Sequence, residues 1–379
     1  MITPEIVRFQ APSLPSLAEV QPFFAQSEKL RWFANRGPCV IQLEQECAHY
    51  LGLEHPGVLV SSATAGLMTA LRACFGFPGD KRRLVAVPSF TFVASVNAII
   101  WAGFEPVFID IDLDDWLPSE DSLQRLGPLR ESLAGFLQCS TFGVAPRAAR
   151  RASLASVIAD LGVPNVVDSA AGFGAVDEEG RRLGDQGDAE VFSFHATKPF
   201  AIGEGGLVTS RSAEVLERVT RLSNFGFGNA HAVPGDVGIN AKLPELSAAM
   251  GLAVLRNYGE TLKRRREAAA WILDALADSG VTFQSGSDGS AFQFVPVAMP
   301  DASSRQRLLG MATDAGVEVR TYFDPPMHKL EAFTRVATAG SLENTESLSQ
   351  RIVSLPMAND ISMSSLERIR DLVLGAMGS

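Results

Sequence analysis

The segment Val191–Ser210 contains a lysine in a setting that suits covalent chemistry. A strand-like run ends near His195, Lys198 follows three residues later, and a glycine-rich turn occupies residues 203–206. Ligands of α/β proteins bind at the carboxyl ends of strands, where partial burial lowers the pKa of a lysine toward that of a nucleophilic amine. Lys198 is therefore a candidate for a Schiff base with a carbonyl compound. Two simpler interpretations stay open, namely a solvated lysine and a plain β-turn.

A carboxylate falls at a comparable position in the preceding strand-like run. Asp168 closes Asn165–Asp168, so its side chain should point into the same crevice. A carboxylate there can keep the ring nitrogen of a pyridoxal cofactor protonated, which lets the ring accept electrons from a substrate carbanion. Alternatively, Asp168 caps a helix that begins in the segment Ser169–Gly172.

Two further segments could hold an anionic, flat ligand. Ser61–Gly66 lies between a strand and a helix, where free backbone N–H groups suit a phosphate, although Ser62 or Thr64 could instead only cap the helix. Phe92 follows the second strand and could stack on a ring or be a core aromatic. The sequence has no Walker A pattern and no GxGxxG, which argues against nucleotide triphosphatases and dinucleotide-binding enzymes.

These residues require a sheet that brings strand ends together. β-branched runs alternate with helix-like segments such as Thr64–Phe75 and Thr91–Ala102, a pattern that predicts an α/β fold with a mostly parallel sheet. The predicted strands are Val58–Ser61, Leu84–Pro88, Pro106–Ile111, Gly135–Cys139, Asn165–Asp168, Glu190–Phe194 and Gly206–Thr209.

With 379 residues, the chain is long enough for two domains. We predict a large domain with an N-terminal arm over residues 1–240, a connecting helical segment over 241–280, and a small α+β domain over 281–379. The basic cluster Lys263–Arg266 reads as a solvated helix face. The small domain should follow the order strand (Ala291–Val297), helix (Ser303–Ala315), strand (Val317–Tyr322), helix (Thr345–Arg351), strand (Ile352–Leu355) and helix (Ser362–Met377).

Composition excludes several classes of function. The net charge of −10 offers no general field for nucleic acid or an anionic membrane. The first residues lack the pattern of a signal peptide, and no apolar run reaches the length of a membrane span, so a cytoplasmic enzyme is expected. The four cysteines show no CxxC spacing, so we expect reduced, buried thiols and no metal site.

The order of these segments resembles the DegT/StrS family of pyridoxal-phosphate-dependent nucleotide-sugar aminotransferases. The resemblance runs through nearly the whole chain and is carried by NRGP, LEQE, SSATAGL, PSFTFVASVNAI, PVFIDID, VVDSAAGFGA, FSFHATKPFAIGEGG, SNFG, GINAKLPELSAAMG, VRTYFDPPMH and VSLPM. It implies an aspartate-aminotransferase-like fold (fold type I), with a mixed, mostly parallel seven-stranded sheet in the large domain and a homodimer with shared active sites.

The resemblance also implies roles for individual residues. Lys198 would form the internal aldimine with pyridoxal 5'-phosphate and shuttle protons, with pyridoxamine phosphate as an intermediate, while Asp168 would pair with the ring nitrogen. The other implied cofactor contacts are Phe92 on the ring, Ala63, Thr64 and Ser193 at the phosphate, His195 nearby, Ala171 beside the ring hydroxyl, and Asn224 from the neighbouring subunit. The implied substrate pocket includes Asn240, Tyr322 and His328.

One departure from the family concerns Ala171, since relatives often carry Gln or His at this position beside the cofactor hydroxyl. Lys198 favours amino transfer, because a dehydrating relative has His in its place. The expected reaction moves the amino group of an amino acid to a nucleotide-linked keto-deoxyhexose, and the expected donor is glutamate. The NRGP and HATKPF stretches resemble those of enzymes that build 4-amino-4,6-dideoxy sugars, so the resemblance favours dTDP-4-keto-6-deoxyhexose as acceptor. A 3-keto sugar, a cyclitol ketone and a non-catalytic regulatory protein of the same fold are the alternatives.

Overall fold

A computed structural model describes residues 6–228 and 234–378. The α-helices within these ranges are α1 (Leu17–Leu30), α2 (Pro38–Leu51), α3 (Ala63–Phe75), α4 (Val93–Trp101), α5 (Glu120–Gln124), α6 (Ala148–Leu161), α7 (Ala213–Leu222), α8 (Glu245–Leu255), α9 (Tyr258–Ala275), α10 (Ala302–Ala312), α11 (Glu343–Ser349) and α12 (Met363–Met377). The strands are β1 (Val58–Val60), β2 (Leu84–Pro88), β3 (Glu105–Ile109), β4 (Leu133–Cys139), β5 (Asn165–Asp168), β6 (Ala189–Ser193), β7 (Gly206–Thr209), β8 (Thr282–Phe283), β9 (Val295–Ala298), β10 (Ala337–Thr338) and β11 (Ile352–Leu355).

The main sheet has the strand order β1-β7-β6-β5-β4-β2-β3-β10. The strands from β6 to β10 in this order pair in parallel, and β7 runs antiparallel to both β1 and β6. The predicted α/β class with a mixed, mostly parallel sheet is therefore confirmed, and all seven predicted strands are present. The eighth strand, β10, escaped prediction because two residues are too short for a visible alternation pattern.

Both faces of this sheet are covered by helices, as a parallel sheet requires. In β1, Val58 and Val60 pack into an apolar cluster with α3, α4 and α7, whereas Leu59 packs into a second cluster with α2 and α8. Alternate side chains of one strand thus enter two cores, which explains why the strands read as continuous apolar runs. Because helices cover both faces, a ligand can bind only at the ends of the sheet, and in such folds it binds among the loops at the carboxyl ends of the strands.

A smaller antiparallel sheet has the order β11-β9-β8 and shares an apolar core with α9, α10 and α12. The predicted strand Val317–Tyr322 is wrong, because this segment makes only isolated bridges, from Val317 to Val7 and from Arg320 to Ser354. Its alternating residues resemble a strand, but each bridge joins a single residue pair, so no ladder forms. The boundaries predicted at residues 240 and 280 stay predictions.

The basic cluster on α9 is not a uniformly solvated face. Lys263 and Arg264 are exposed, as predicted, but Arg265 is only 5% exposed. Its guanidinium donates to the carbonyl oxygens of residues 291, 292, 293 and 357 and to Asn359 Oδ1. Arg266 likewise donates to three backbone carbonyls. The prediction is wrong for these two arginines, because their acceptors come from segments distant in sequence.

Two other expectations concern the thiols and the membrane. Three of the four cysteines are buried, Cys74 is half-buried, and all four are free thiols. Among the described residues, no helix is both long enough and apolar enough to cross a membrane.

Candidate active site

A cavity of about 510 Å³ opens where β4, β5 and β6 end, next to the first turn of α3. It collects most of the residues that the sequence singled out. The predicted residues that line it are Ala63, Thr64, Phe92, Asp168, Ala171, Ser193, His195, Lys198 and Tyr322. Residues separated by up to 259 positions in the chain therefore share one pocket, which is the arrangement that a composite cofactor site needs.

Lys198 lies in the loop between β6 and β7. The loop is held by backbone hydrogen bonds from Ala196 N to Gly203 O (2.8 Å) and from Lys198 N to His195 O (2.9 Å). The Nζ atom of Lys198 donates to Gln293 Oε1 at 2.8 Å. Burial lowers the pKa of Lys198 from its ordinary 10.5 to about 8, against the opposing attraction of Asp168. The free amine is thus a larger fraction of this side chain near neutral pH than it is in a solvated lysine.

Asp168 ends β5 and is buried at the base of the cavity. Its Oδ2 accepts a hydrogen bond from Ser95 Oγ (2.6 Å) and its Oδ1 accepts one from Ala170 N (3.1 Å). Burial raises the pKa of Asp168, while these two donors and Lys198 act in the opposite direction. The bond to Ala170 is that of a capped turn, yet no helix follows it. A cationic ligand group beside this carboxylate would therefore be stabilised.

The first turn of α3 provides a place for an anion. Ser62 caps the helix by accepting from Ala65 N at 3.2 Å, which leaves the N–H groups of Ala63 and Thr64 without an intrahelical acceptor. Gly206 of β7 lies directly behind them, since a Cβ at this position would come within 2.8 Å of Ala63 N. The glycine thus allows the helix end to sit close against the sheet. These backbone donors, with the Ser193 hydroxyl in the same cavity, suit a phosphate.

Phe92 and His195 border the cavity from opposite loops. The Phe92 side chain is 54% exposed at the start of α4 although it is a large apolar group, so it has free area for a flat ligand. His195 Nδ1 lies 2.8 Å from Thr197 Oγ1, and its Nε2 lies 3.6 Å from Glu204. This ring is therefore held at the rim.

Three predicted residues lie outside the cavity of the single chain. Asn224 Oδ1 accepts from Lys242 Nζ at 2.8 Å, and its backbone forms an isolated bridge with that of Asn240. His328 Nδ1 lies 2.7 Å from Ser89 Oγ, and its Nε2 lies 3.1 Å from Glu346. Their assigned roles stay predictions, and for Asn224 the prediction concerns the cavity of a second subunit.

The cavity also contains residues that the sequence analysis missed. They include Gln10, Thr141, Phe142, Gln293, Phe294 and Phe323. Gln293, just before β9, holds the Lys198 amine although 95 residues separate the two in the chain. Phe323 lies in the VRTYFDPPMH stretch but was given no role, and no motif marked the other positions, because ordinary polar and aromatic residues in loops carry no local signal.

A second, much smaller space of about 20 Å³ lies against Lys198. Residues 9–13 of the chain form one of its walls, together with Arg265, Gln293 and Asn359. Phe9 N donates to Glu318 Oε2 at 3.0 Å, which helps to hold this N-terminal segment in place. The N-terminal segment thus borders Lys198 as well.

The donor set fits pyridoxal 5'-phosphate. The site offers backbone donors for a phosphate, a carboxylate for a ring nitrogen, an exposed ring for stacking and an amine of lowered pKa for the aldehyde. The presence of all four features in one pocket indicates this cofactor far more specifically than any single feature does.

Comparison with known proteins agrees with this fit. A family model described as the DegT/DnrJ/EryC1/StrS aminotransferase family matches residues 18–374. Protein Rv3402c of Mycobacterium tuberculosis is 35% identical over 370 residues, covering 96% of this chain and 88% of the relative. The dTDP-4-amino-4,6-dideoxy-D-glucose transaminase of Shigella dysenteriae is 28% identical over 363 residues, covering 94% of this chain and 95% of the relative. Further relatives have names that refer to GDP and UDP compounds.

Among solved structures, DesI, determined in the presence of its TDP-sugar product, superimposes with a TM-score of 0.87 at 32% identity. The match covers 99% of this chain and 94% of DesI. Similarity therefore extends over essentially the whole chain, and the predicted fold type I architecture is confirmed.

Proposed function

This chain belongs to the DegT/DnrJ/EryC1/StrS aminotransferase family, and within that family we propose that it transfers an amino group from L-glutamate to carbon 4 of a dTDP-4-keto-6-deoxyhexose. It is a sugar aminotransferase, and the family implies pyridoxal phosphate as cofactor. The observation that carries amino transfer is the Lys198 amine, which is held by Gln293 in the same cavity as Asp168 and has its pKa lowered by burial.

Bound pyridoxal phosphate supplies an aldehyde that carries the amino group and a ring that accepts electrons. Lys198 would hold this aldehyde through Nζ, and its freed amine would remove and return protons at the reacting carbon. Gln293 orients the Lys198 amine when it is free, since its Oε1 accepts from Nζ. Asp168 holds the proton on the ring nitrogen, and the hydrogen bond from Ser95 fixes the direction of its carboxylate.

The remaining cavity residues position and shield the cofactor. The N–H groups of Ala63 and Thr64 and the Ser193 hydroxyl would bind the phosphate, and Phe92 would stack on the ring. The packed rings of Tyr322 and Phe323 line the same cavity and would exclude water from the bound sugar. A cavity of about 510 Å³ has room for more than the cofactor alone.

We further propose a homodimer in which Asn224 of the partner subunit completes the phosphate site. Asn224 lies outside the cavity of its own chain, and its amide is a short polar group that can contact a phosphate. Asn240 and His328 belong to the proposed sugar pocket on the resemblance alone. The choice of dTDP rests on the Shigella transaminase and on DesI.

The test is a mass-spectrometric screen of the protein loaded with pyridoxal phosphate, with glutamate as donor. The acceptors are dTDP-linked 4-keto and 3-keto sugars, the GDP- and UDP-linked 4-keto analogues, and a cyclitol ketone. We expect the 4-amino dTDP-sugar to form fastest and Lys198→Ala to form none. A faster reaction with a 3-keto sugar, a cyclitol ketone or another nucleotide would refute the substrate assignment. Absence of every amino product would refute amino transfer to these ketones.

A further inference from the structure

The side chain of Ala171 lines the cavity but has no polar atom. The residue lies three positions after Asp168, at the position where the family resemblance leads us to expect Gln or His. A methyl group can neither donate nor accept a hydrogen bond. If the ring hydroxyl of the cofactor has a protein donor on this side, the donor must come from another segment.

The turn that follows β4 is packed against the Asp168–Ala171 segment. Ser140 N donates to Asp168 O at 2.9 Å, and Gly143 N closes the turn by donating to Ser140 O at 2.8 Å. A Cβ on Gly143, which has φ +80°, would collide with the carbonyl oxygen of Ala171. The contact of these two backbones places Thr141, in the middle of the turn, at the same end of the cavity as Ala171.

Thr141 has a hydroxyl group without a partner. The residue is 4% exposed, and its Oγ1 makes no hydrogen bond with any described residue. A few other buried side chains in the described part of the chain also have unpartnered atoms, but Thr141 is the one among them that lines the cavity. Its backbone is fixed, since its carbonyl accepts from Gln284 Nε2 at 3.1 Å. Buried hydroxyls are normally satisfied, so this one indicates a missing acceptor.

We propose that the Thr141 hydroxyl donates a hydrogen bond to the ring hydroxyl oxygen of pyridoxal phosphate and replaces the Gln or His that the family resemblance leads us to expect at position 171. The inference rests on the proposed function, because it requires the cofactor to bind in this cavity. A donor at this oxygen stabilises its ionised form, so the oxygen releases its shared proton at lower pH. Thr141 is therefore a positioning and tuning residue for the cofactor.

The test compares Thr141→Val, which keeps the shape but removes the oxygen, with Thr141→Ser, which keeps the oxygen. Each protein is loaded with pyridoxal phosphate, and its visible absorption is titrated with pH. We expect the midpoint to rise by about one pH unit in Thr141→Val, because a donor to an ionised oxygen is lost. Thr141→Ser should stay close to the wild type, and adding Ala171→Gln to Thr141→Val should lower the midpoint again.

Thermal unfolding of the cofactor-free proteins supplies a second measurement. An unsatisfied hydroxyl stabilises nothing, so cofactor-free Thr141→Val should unfold at the wild-type temperature or above it. A lower unfolding temperature would show that the hydroxyl has a structural partner and would overturn the inference. An unchanged absorption midpoint in Thr141→Val would overturn it too, including the case in which only the KM of the sugar rises. If the wild type acquires no visible band with pyridoxal phosphate, the proposed function fails as well.

Discussion

Burial of the Lys198 amine predicts how its reactivity depends on pH. A fall in pKa from 10.5 to about 8 raises the free-amine fraction at pH 7 from about 0.03% to about 9%, which is a roughly 300-fold gain in nucleophile. In the cofactor-free protein, Lys198 should therefore react with acetic anhydride with a midpoint near pH 8. Isotopic trace labelling followed by peptide mass spectrometry measures this midpoint, with the exposed Lys263 as internal reference.

Asp168→Asn provides the matched perturbation. The carboxylate attracts the ammonium and is the group that opposes the effect of burial on the pKa of Lys198. Without that charge, the pKa of Lys198 should fall further, so the labelling midpoint should move below 8. A wild-type midpoint near 10.5 would refute the argument from burial. A midpoint that does not respond to Asp168→Asn would refute the electrostatic contact between the two side chains.

Four other outcomes follow from the same contacts. Lys198→Ala should abolish transamination, measured by product mass, with an unfolding curve that shows a retained fold. Asp168→Asn should lower turnover by about 100-fold or more, since the ring nitrogen loses its charged partner, while the cofactor still binds; unchanged kinetics would limit Asp168 to capping its turn. Arg265→Met should reduce the free energy of unfolding by about 3 kcal/mol, because several buried carbonyls lose their donor, whereas the exposed neighbour Arg264→Met should change it little. Mixing inactive Lys198→Ala with Asn224→Asp under subunit exchange should restore activity if each site is shared, and no recovery with exchange confirmed by mass spectrometry would contradict the dimer proposal.

The main sheet was predictable because its strands are buried on both sides. Such strands are short apolar runs that stand out against the intervening helices, as in Asn165–Asp168. The weak pairing of Val317–Tyr322 was not predictable, since an alternating pattern does not reveal whether a partner strand is available. The same limit applies to β8 and β10, which each contain only two residues.

The candidate site was predictable where a residue type is unusual for its place. Lys198 follows a strand and Asp168 ends one, at positions where a charge in the crevice indicates chemistry. Gln293 and Thr141 were missed, because their importance comes from the neighbours that the fold brings to them, Lys198 for the first and the Ala171 segment for the second. Arg265 was assigned to a solvated face because its acceptors are 26 to 94 residues away in the chain.

The N-terminal segment that borders Lys198 sets the order in which the site can be assembled. Val7 N donates to Gly316 O, Glu318 N donates to Val7 O, and Phe9 N donates to Glu318 Oε2. During synthesis on a ribosome, residues 7 and 9 are made before these binding partners, which follow roughly 300 residues later. The main sheet can fold early around β1–β7. The wall beside the lysine forms only after residues 316–318 have been made, so a nascent chain that ends before them would hold an open site.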